Sequence, residues 1–411
     1  MKIWIKLLLC SILGAVIAYL LPQDNQNISA ALAWLENLSL RIGRYALSPV
    51  LVFSLTIAVY ELRQDGQFWP LVLRSFLFII AGAVFVIAAG VSATLFFPPG
   101  RIPIPNEEQL EAFSLDTAGN VLSLFPPNMF QALAGDGSYI FPFCVFAFFL
   151  GMGLSYDRSY TKPVIALIDS LSRIFYHIVS FFSEILGFIM ITLAAYWAFR
   201  FKTVQETGVF RDLIVLLGGF SLVFSFIILP ILLYLIKPKI SPWAVLYGSL
   251  GPGIAAWFSG DINFTFPVLL RHGKENFGNR RRANAISLSL FATFGRGGSA
   301  MVAAVAFIVI IKSYSSLGIT TMADTVFICI RALFISFFLA RHPGDGAYTA
   351  LAILCAGYGG DYEPGYLILK PLAFYLIAAG TFLDVMIASF SSYAIARLSG
   401  FQEEKSLRHY I

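Results

Sequence analysis

Apolar runs separated by short polar clusters set the pattern of this chain. Eight such runs cover residues 4–21, 45–60, 68–97, 140–154, 163–199, 213–236, 283–311 and 366–398. Roughly 20 mostly apolar helical residues cross a ~30 Å hydrocarbon layer, so these runs read as transmembrane segments. Two are longer than an upright crossing needs, and such helices tilt or extend beyond the bilayer. The first run follows Lys2 and Lys6 as the core of a secretory leader would. Leu20, Leu21 and Pro22 make a poor cleavage site, so it reads as a retained helix.

Two further apolar stretches break where a helix would reach the middle of a membrane. One runs over 243–258, breaks at Ser259, Gly260, Asp261, Ile262 and Asn263, and resumes to Leu270. The other runs over 325–339, breaks at 340–346 (Ala-Arg-His-Pro-Gly-Asp-Gly) and resumes to Tyr358. Each arm has about 12–16 residues, which at ~1.5 Å apiece fall short of the far side. Gly and Pro stop the helices, and irregular backbone at that depth survives only inside protein or beside water. The economical reading is a pair of re-entrant helical hairpins whose tips meet near the midplane. The alternative is two pairs of short interfacial helices joined by exposed loops. A hairpin–helix, hairpin–helix order, with breaks in corresponding places, points to the binding site of a secondary transporter. The fold class that follows is an all-α polytopic membrane protein of eight transmembrane segments plus two re-entrant hairpins.

Composition agrees with this class. Over 411 residues the chain is 58% hydrophobic and only 12% charged, where soluble domains are near half and a quarter. That excludes a disordered chain, a nucleic-acid-binding tail and an ordinary cytosolic enzyme. No Ser/His/Asp arrangement, Cys/His metal spacing or nucleotide-binding glycine motif argues for catalysis. Cys10, Cys144, Cys329 and Cys355 all fall in apolar runs, as buried hydrophobes and not a disulfide framework. Loop charges give orientation. Lys2, Lys6, Arg63, Arg158, Lys162, Lys237, Lys239, Arg271, Lys274, Arg280, Arg281, Arg282, Arg397, Lys405 and Arg408 fall on one side. Glu107, Glu108, Glu111, Asp116, Asp361 and Glu363 fall on the other, joined by Arg200, Lys202 and Arg211. The positive-inside rule then places both termini in the cytoplasm. The cluster at Arg280 reads as an orientation signal, with a lipid or nucleic-acid site as the alternative.

One run carries an irregularity of its own: Gly295, Arg296, Gly297, Gly298 and Ser299 inside 283–311. Each glycine weakens a helix by about 1 kcal/mol relative to alanine, and close packing on a neighbour would account for them. It does not account for Arg296. A charge so deep costs at least ~2.5–3.5 kcal/mol, and such residues face a cavity with a partner.

Several motifs resemble one family over nearly the whole chain. Residues 126–134 follow Pro-x-Asn-x-Phe-x-Ala-Leu-Ala, and 146–151 follow Phe-Ala-x-x-Leu-Gly. Pro267-Val268 stands after the first break, and Pro343-Gly344-Asp345-Gly346-Ala347 fills the second. With the segment order, these resemble the dicarboxylate/amino acid:cation symporter family, the glutamate-transporter homologues. The resemblance implies a homotrimer with an elevator mechanism. Segments 1, 2, 4 and 5 (residues 1–67 and 118–202) would form the scaffold. Segments 3, 6, 7 and 8 with both hairpins (68–98 and 209–400) would form the sliding transport domain, and 401–411 a cytoplasmic tail.

The positions that carry the family's chemistry depart from its pattern. Its serine run at the first tip falls on Asp261, Ile262 and Asn263. Its Asn-Met-Asp-Gly-Thr falls on residues 295–299, so a cation-binding aspartate becomes Gly297. In the last helix the aspartate that meets a substrate amino group is kept as Asp384. The arginine that grips a substrate carboxylate becomes Ile387, and the next residues read Ala388, Ser391 and Ile395, the last replacing a second cation-binding aspartate. A Thr-Ser of the third segment reads Ala81-Gly82. Hard cations need oxygen ligands, so at least two sodium sites are expected to be absent or weak. A residual sodium site of backbone carbonyls, or a proton on Asp384, are the remaining coupling options, and no other cofactor is implied. Arg296 would supply a tethered positive charge in place of sodium, grip the substrate carboxylate, or simply pair with Asp384 or Asp345. His342 reads either as a group titrating near neutral pH or as a polar cap.

The resemblance therefore implies a symporter of a small carboxylate or amino acid in the inner or plasma membrane, with reduced or altered sodium coupling. The alternatives are a proton-coupled or equilibrative transporter of another anionic or zwitterionic solute, and a non-transporting anion channel or sensor. Candidate substrate residues are Asp261, Asn263, Arg296, Pro343, Gly344, Asp345, Gly346, Asp384 and Ser391. Candidates for cation or proton coupling are Asp384, Asp345, Arg296 and Ser299. The partners are the solute, the bilayer and two further copies of the chain, with no nucleic acid.

Overall fold

A computed structural model of the chain describes residues 2–23, 25–103, 128, 130, 133, 138–156, 158–236, 241–314, 322–358 and 360–411. Glu107, Glu108, Glu111, Asp116, Lys237 and Lys239 lie outside the described residues, as does most of the 126–134 motif. Regular structure among the described residues is helical, with a single isolated bridge between Asn279 and Gln402.

The first half contains α1 (Ile3–Leu20), α2 (Gln26–Arg44), α3 (Leu47–Gln64), α4 (Phe68–Phe96), α5 (Phe141–Leu154) and α6 (Arg158–Thr207). Then come α7 (Arg211–Val223), a π-helical turn (Phe224–Ile228) and α8 (Leu229–Ile236). Two helix–break–helix units follow, each succeeded by more helix. The first is α9 (Pro242–Ser259) and α10 (Ile262–Glu275), followed by α11 (Arg281–Phe294) and α12 (Gly297–Tyr314). The second is α13 (Met322–Ser336) and α14 (Gly346–Tyr358), followed by a 3-10 segment (Gly360–Leu372) and α15 (Ala373–Leu398). Within each unit the two arms pack on one another.

Seven stretches among the described residues are long and apolar enough to cross a membrane. α5, at 14 residues, is about 21 Å long and falls short of a full crossing. Two expectations change in detail. The run at 283–311 is two helices and not one, because the backbone leaves the helical path at Gly295, whose N–H closes the last turn on Phe291 at 2.8 Å. The run at 366–398 begins as 3-10 helix and turns α-helical only after Pro371, which cannot donate to an α-helical ladder.

Burial separates the helices into a rim and a centre. α1 is apolar all round, yet Leu9, Ile12, Leu13 and Val16 are about half exposed, while Leu7, Ser11, Gly14 and Ala18 lie buried at 3–4-residue spacing. Only 28% of its apolar window is buried, against 94% for 281–314 and 83% for 362–398. α12 and α15 therefore form the middle of the molecule, packed against each other and against α4 and α14.

Candidate functional site

The first break is built by local rules. α9 ends on Gly260, whose φ of 61° is the left-handed conformation that closes a helix and favours glycine. Asp261 follows as the N-cap of α10: its Oδ1 accepts from the Phe264 N–H at 2.9 Å, and its carbonyl accepts from the Thr265 hydroxyl at 2.7 Å. Such a cap stabilises a helix by about 1 kcal/mol. The other carboxylate oxygen, Oδ2, forms an ion pair with Arg44 at the end of α2, and Asp261 is wholly buried. Asn263, the second residue of α10, donates from Nδ2 to the Ser138 carbonyl at 2.8 Å.

The two breaks touch. The Ile262 N–H donates to the Pro343 carbonyl at 3.2 Å, and a Cβ at Gly344 would lie 3.0 Å from Asp261 Oδ2. Thr381 of α15 adds a third member by donating to the Gly260 carbonyl at 3.0 Å. At the second break Asp345 holds its Oδ2 3.2 Å from His342 Nδ1 and 3.0 Å from the Thr349 hydroxyl. Its carbonyl accepts from the Thr349 N–H at 2.9 Å, opening α14. Arg341 is exposed.

Arg296 lies between the second break and α15, and none of its surface is exposed. The neighbouring glycines let the helices close around it. A Cβ at Gly297 would sit 2.7 Å from Ala83 Cα of α4, and one at Gly298 would sit 2.9 Å from the Asp384 N. Gly346, the first residue of α14, lies directly against the guanidinium, where a Cβ would strike Nη2. Nη2 donates to the His342 carbonyl at 3.3 Å. Nε stands 3.2 Å from Asp384 Oδ2, an ion-pair distance without hydrogen-bond alignment. Nη1 is buried with no hydrogen-bond partner among the described residues.

Asp384 faces the start of α12. Its Oδ1 accepts from the Gly298 N–H at 2.7 Å and the Ser299 N–H at 3.1 Å, and Oδ2 accepts from the Ser299 hydroxyl at 2.6 Å. The first N–H groups of a helix have no partner within it, and their positive end favours a carboxylate. Asp384 thus caps α12 from another helix, which is why a charged side chain can remain in the fully buried middle of α15.

The structure brings Asp261, Pro343, Gly344, Asp345, Gly346, Arg296, Ser299 and Asp384 into one connected cluster. Asn263 borders it but spends its amide on Ser138. Ser391 lies apart, two turns along α15, lining an apolar cavity of about 290 Å³ with Gly82, Phe85, Phe224 and Ile387. Ile395 is fully buried in the core. A side chain at position 297 would strike α4, so that backbone offers no room for a carboxylate there. Sequence reasoning missed Arg44, since α2 was not recognised as a helix. Its signal was present: Leu32, Ser39 and Gly43, at helical spacing, are its buried positions.

Two comparisons bear on this arrangement. The family model described as "Sodium:dicarboxylate symporter family" matches residues 3–398. Among curated proteins, the "Proton/sodium-glutamate symport protein" of Bacillus subtilis (strain 168) is 26% identical over 198 residues. That alignment covers 46% of this chain and 44% of the relative, so the chain matches less than half of the relative's length. The family match takes in both breaks, the central helices and nearly every apolar helix. The chain is a multi-pass membrane protein and belongs to the sodium:dicarboxylate symporter family.

Proposed function

We propose that this protein is a secondary active symporter of a small carboxylate or amino acid, with sodium coupling reduced or replaced. Family membership supports transport, and one observation carries the altered coupling: a permanently charged guanidinium stands 3.2 Å from Asp384, wholly inside the protein. A bound sodium ion supplies positive charge to a buried anionic site and carries the energy of its gradient. A tethered arginine supplies the charge but not the gradient, because it never leaves the protein. Gly297 and Ile395, without oxygen ligands in their side chains, fit the same reading. We further propose an elevator mechanism in a homotrimer of the inner or plasma membrane, both termini cytoplasmic, with 68–98 and 209–400 moving against 1–67 and 118–202. The cross-contacts at the touching breaks give that moving body its coherence.

The test is uptake by the purified protein in liposomes. Labelled dicarboxylates and acidic amino acids are offered with an inward sodium gradient, or with choline replacing sodium at equal ionic strength. Uptake that persists in choline supports the reading. A steep sodium dependence overturns the coupling part, and no movement of any such solute overturns transport.

A further inference from the structure

We infer that the turn between α10 and α11, with the segment after α15, forms a second binding site, for a phosphate group flanked by a hydroxyl, as in a phosphoglycerol headgroup. This site stands apart from the cluster at the breaks and does not depend on the transport reading. A cavity of about 620 Å³ opens there, and its walls carry the cations Lys274, Arg280, Arg281 and Lys405 against the carboxylates Glu275 and Glu403. Main-chain bonds fix its rim: the Arg280 N–H donates to the Phe401 carbonyl at 2.8 Å, and the Glu403 N–H to the Gly278 carbonyl at 2.9 Å. Both carboxylates are engaged by arginine, Glu275 by Arg271 at 3.3 Å and Glu403 by Arg280 at 3.5 Å. Arg281 pairs with Asp169 and, at 3.6 Å, with Glu61. Lys274 and Lys405 form no ion pair among the described residues. Partial burial and the nearby Arg281, Arg173 and Lys405 hold the Lys274 ammonium below the ordinary lysine range, against the pull of Glu275. Positive charge crowded in this way favours an anion beside it.

Two further features narrow the anion. The 14-residue α11 starts at the cavity wall with no acidic residue in its first turn and no side-chain cap from Arg280. Its leading N–H groups add to the demand for a negative group. Asn279, on the same wall, is 2% exposed and presents an acceptor. Asn284 donates its amide to the Leu270 carbonyl at 2.9 Å, which leaves its Oδ1 to accept from Asn279 Nδ2 at 3.4 Å. Asn279 Oδ1 is then buried without a partner among the described residues, and such a group needs a donor. An ammonium would face the cations of the wall, whereas a neutral hydroxyl beside a phosphate meets both demands. The cavity also lies at headgroup depth. Ile411 lines it, and the adjacent Tyr410 ring lies 6.2 Å from Tyr247, which meets Trp4 edge-on at 5.6 Å. Tyr and Trp gather at the membrane interface.

The purified full chain in nanodiscs tests this by thermal unfolding at fixed ionic strength. The discs hold phosphatidylcholine alone, or with one lipid in four replaced by phosphatidylglycerol or by phosphatidylserine, which has the same net charge but an ammonium and no hydroxyl. sn-Glycerol 3-phosphate, titrated against the phosphatidylcholine discs, represents a soluble source of the same chemistry. We expect a higher melting temperature with phosphatidylglycerol than with phosphatidylserine, and loss of most of that difference in Lys274→Gln combined with Lys405→Gln. Arg158→Gln combined with Lys162→Gln removes equal charge elsewhere and is expected to keep the difference. A saturable rise with glycerol phosphate alone, at least tenfold weaker in the Lys274 and Lys405 double variant, assigns the site to a soluble ligand. Equal effects of the two anionic lipids without a glycerol phosphate response overturn the inference. So does no response to either phosphoglycerol source, or full retention of the response by the double variant.

Discussion

Arg44, the last residue of α2, is the cation paired with Asp261, the N-cap of α10 that lies 217 positions further along the chain. Gly43 beside it lies on the face of Phe264, the residue whose N–H Asp261 caps. Ser39, one turn earlier, bonds Thr192 of α6 at 2.6 Å. α2 thereby ties the long helix α6 to the first break. Arg44→Met strands a fully buried carboxylate. The expected loss is about 2–4 kcal/mol, toward the lower end of what breaking a buried pair costs because Arg44 is itself partly exposed. Adding Asp261→Asn to that variant is expected to recover much of the loss, as followed by thermal unfolding of single and double variants.

Arg282 and Asp65 form an ion pair of the same kind with a different surrounding. Their side chains are 21% and 46% exposed. Water already solvates both charges, so Arg282→Ala is expected to cost no more than about 1 kcal/mol, with the effect shrinking as salt is raised. A loss as large as that of Arg44→Met would contradict this account of why the first pair matters.

Ser299 links the start of α12 to Asp384 through its backbone and its hydroxyl. Ser299→Ala keeps the backbone bond and removes the 2.6 Å hydroxyl bond. A hydrogen bond to a charged group contributes about 1.5–3 kcal/mol, and a destabilisation of that order is expected. Ser299→Thr restores the donor and is expected to recover more of the stability than Ser299→Cys.

Two glycines give opposite outcomes for one substitution. At Gly298 a new Cβ would meet Leu383 Cβ at 2.5 Å and Asp384 N at 2.9 Å. Backbone cannot give way cheaply, so Gly298→Ala is expected to cost about 1–3 kcal/mol. At Gly219 in α7 nothing lies within 4 Å. Gly219→Ala is expected to stabilise by about 0.5–1 kcal/mol, since glycine gives up more freedom on becoming helical. Melting temperatures of the two variants should move in opposite directions.

The helices and the breaks were legible because their signals are local. Apolar runs bounded by charges located α1, α4 and α15 to within a few residues, the last apart from its 3-10 lead-in. Gly260 and the Pro343-Gly344 pair marked both breaks because glycine and proline change the backbone wherever they stand. Arg296 stood out because a charge within an apolar run demands a partner, and Asp384 was among those considered. Its actual bonding was not legible: that Asp384 caps α12 depends on the angle at which two helices meet. Arg44 was hidden for a related reason. α2 buries only a narrow face, so its pattern is weaker than that of a membrane-crossing run, and no periodicity links position 44 to position 261. The distance of Ser391, a candidate substrate residue, from the cluster was not legible either, because two further turns of α15 carry it to a different cavity.

The joint between the two breaks is written in the main chain. The Ile262 N–H and the Pro343 carbonyl belong to the polymer and not to any side chain, so nearly every substitution at either position leaves the bond's two atoms in place. A survey of point variants would therefore pass over this contact without noticing it. The exception is proline at 262, which alone among the common residues removes the donor; that change would unfasten the two tips while sparing every charge around them.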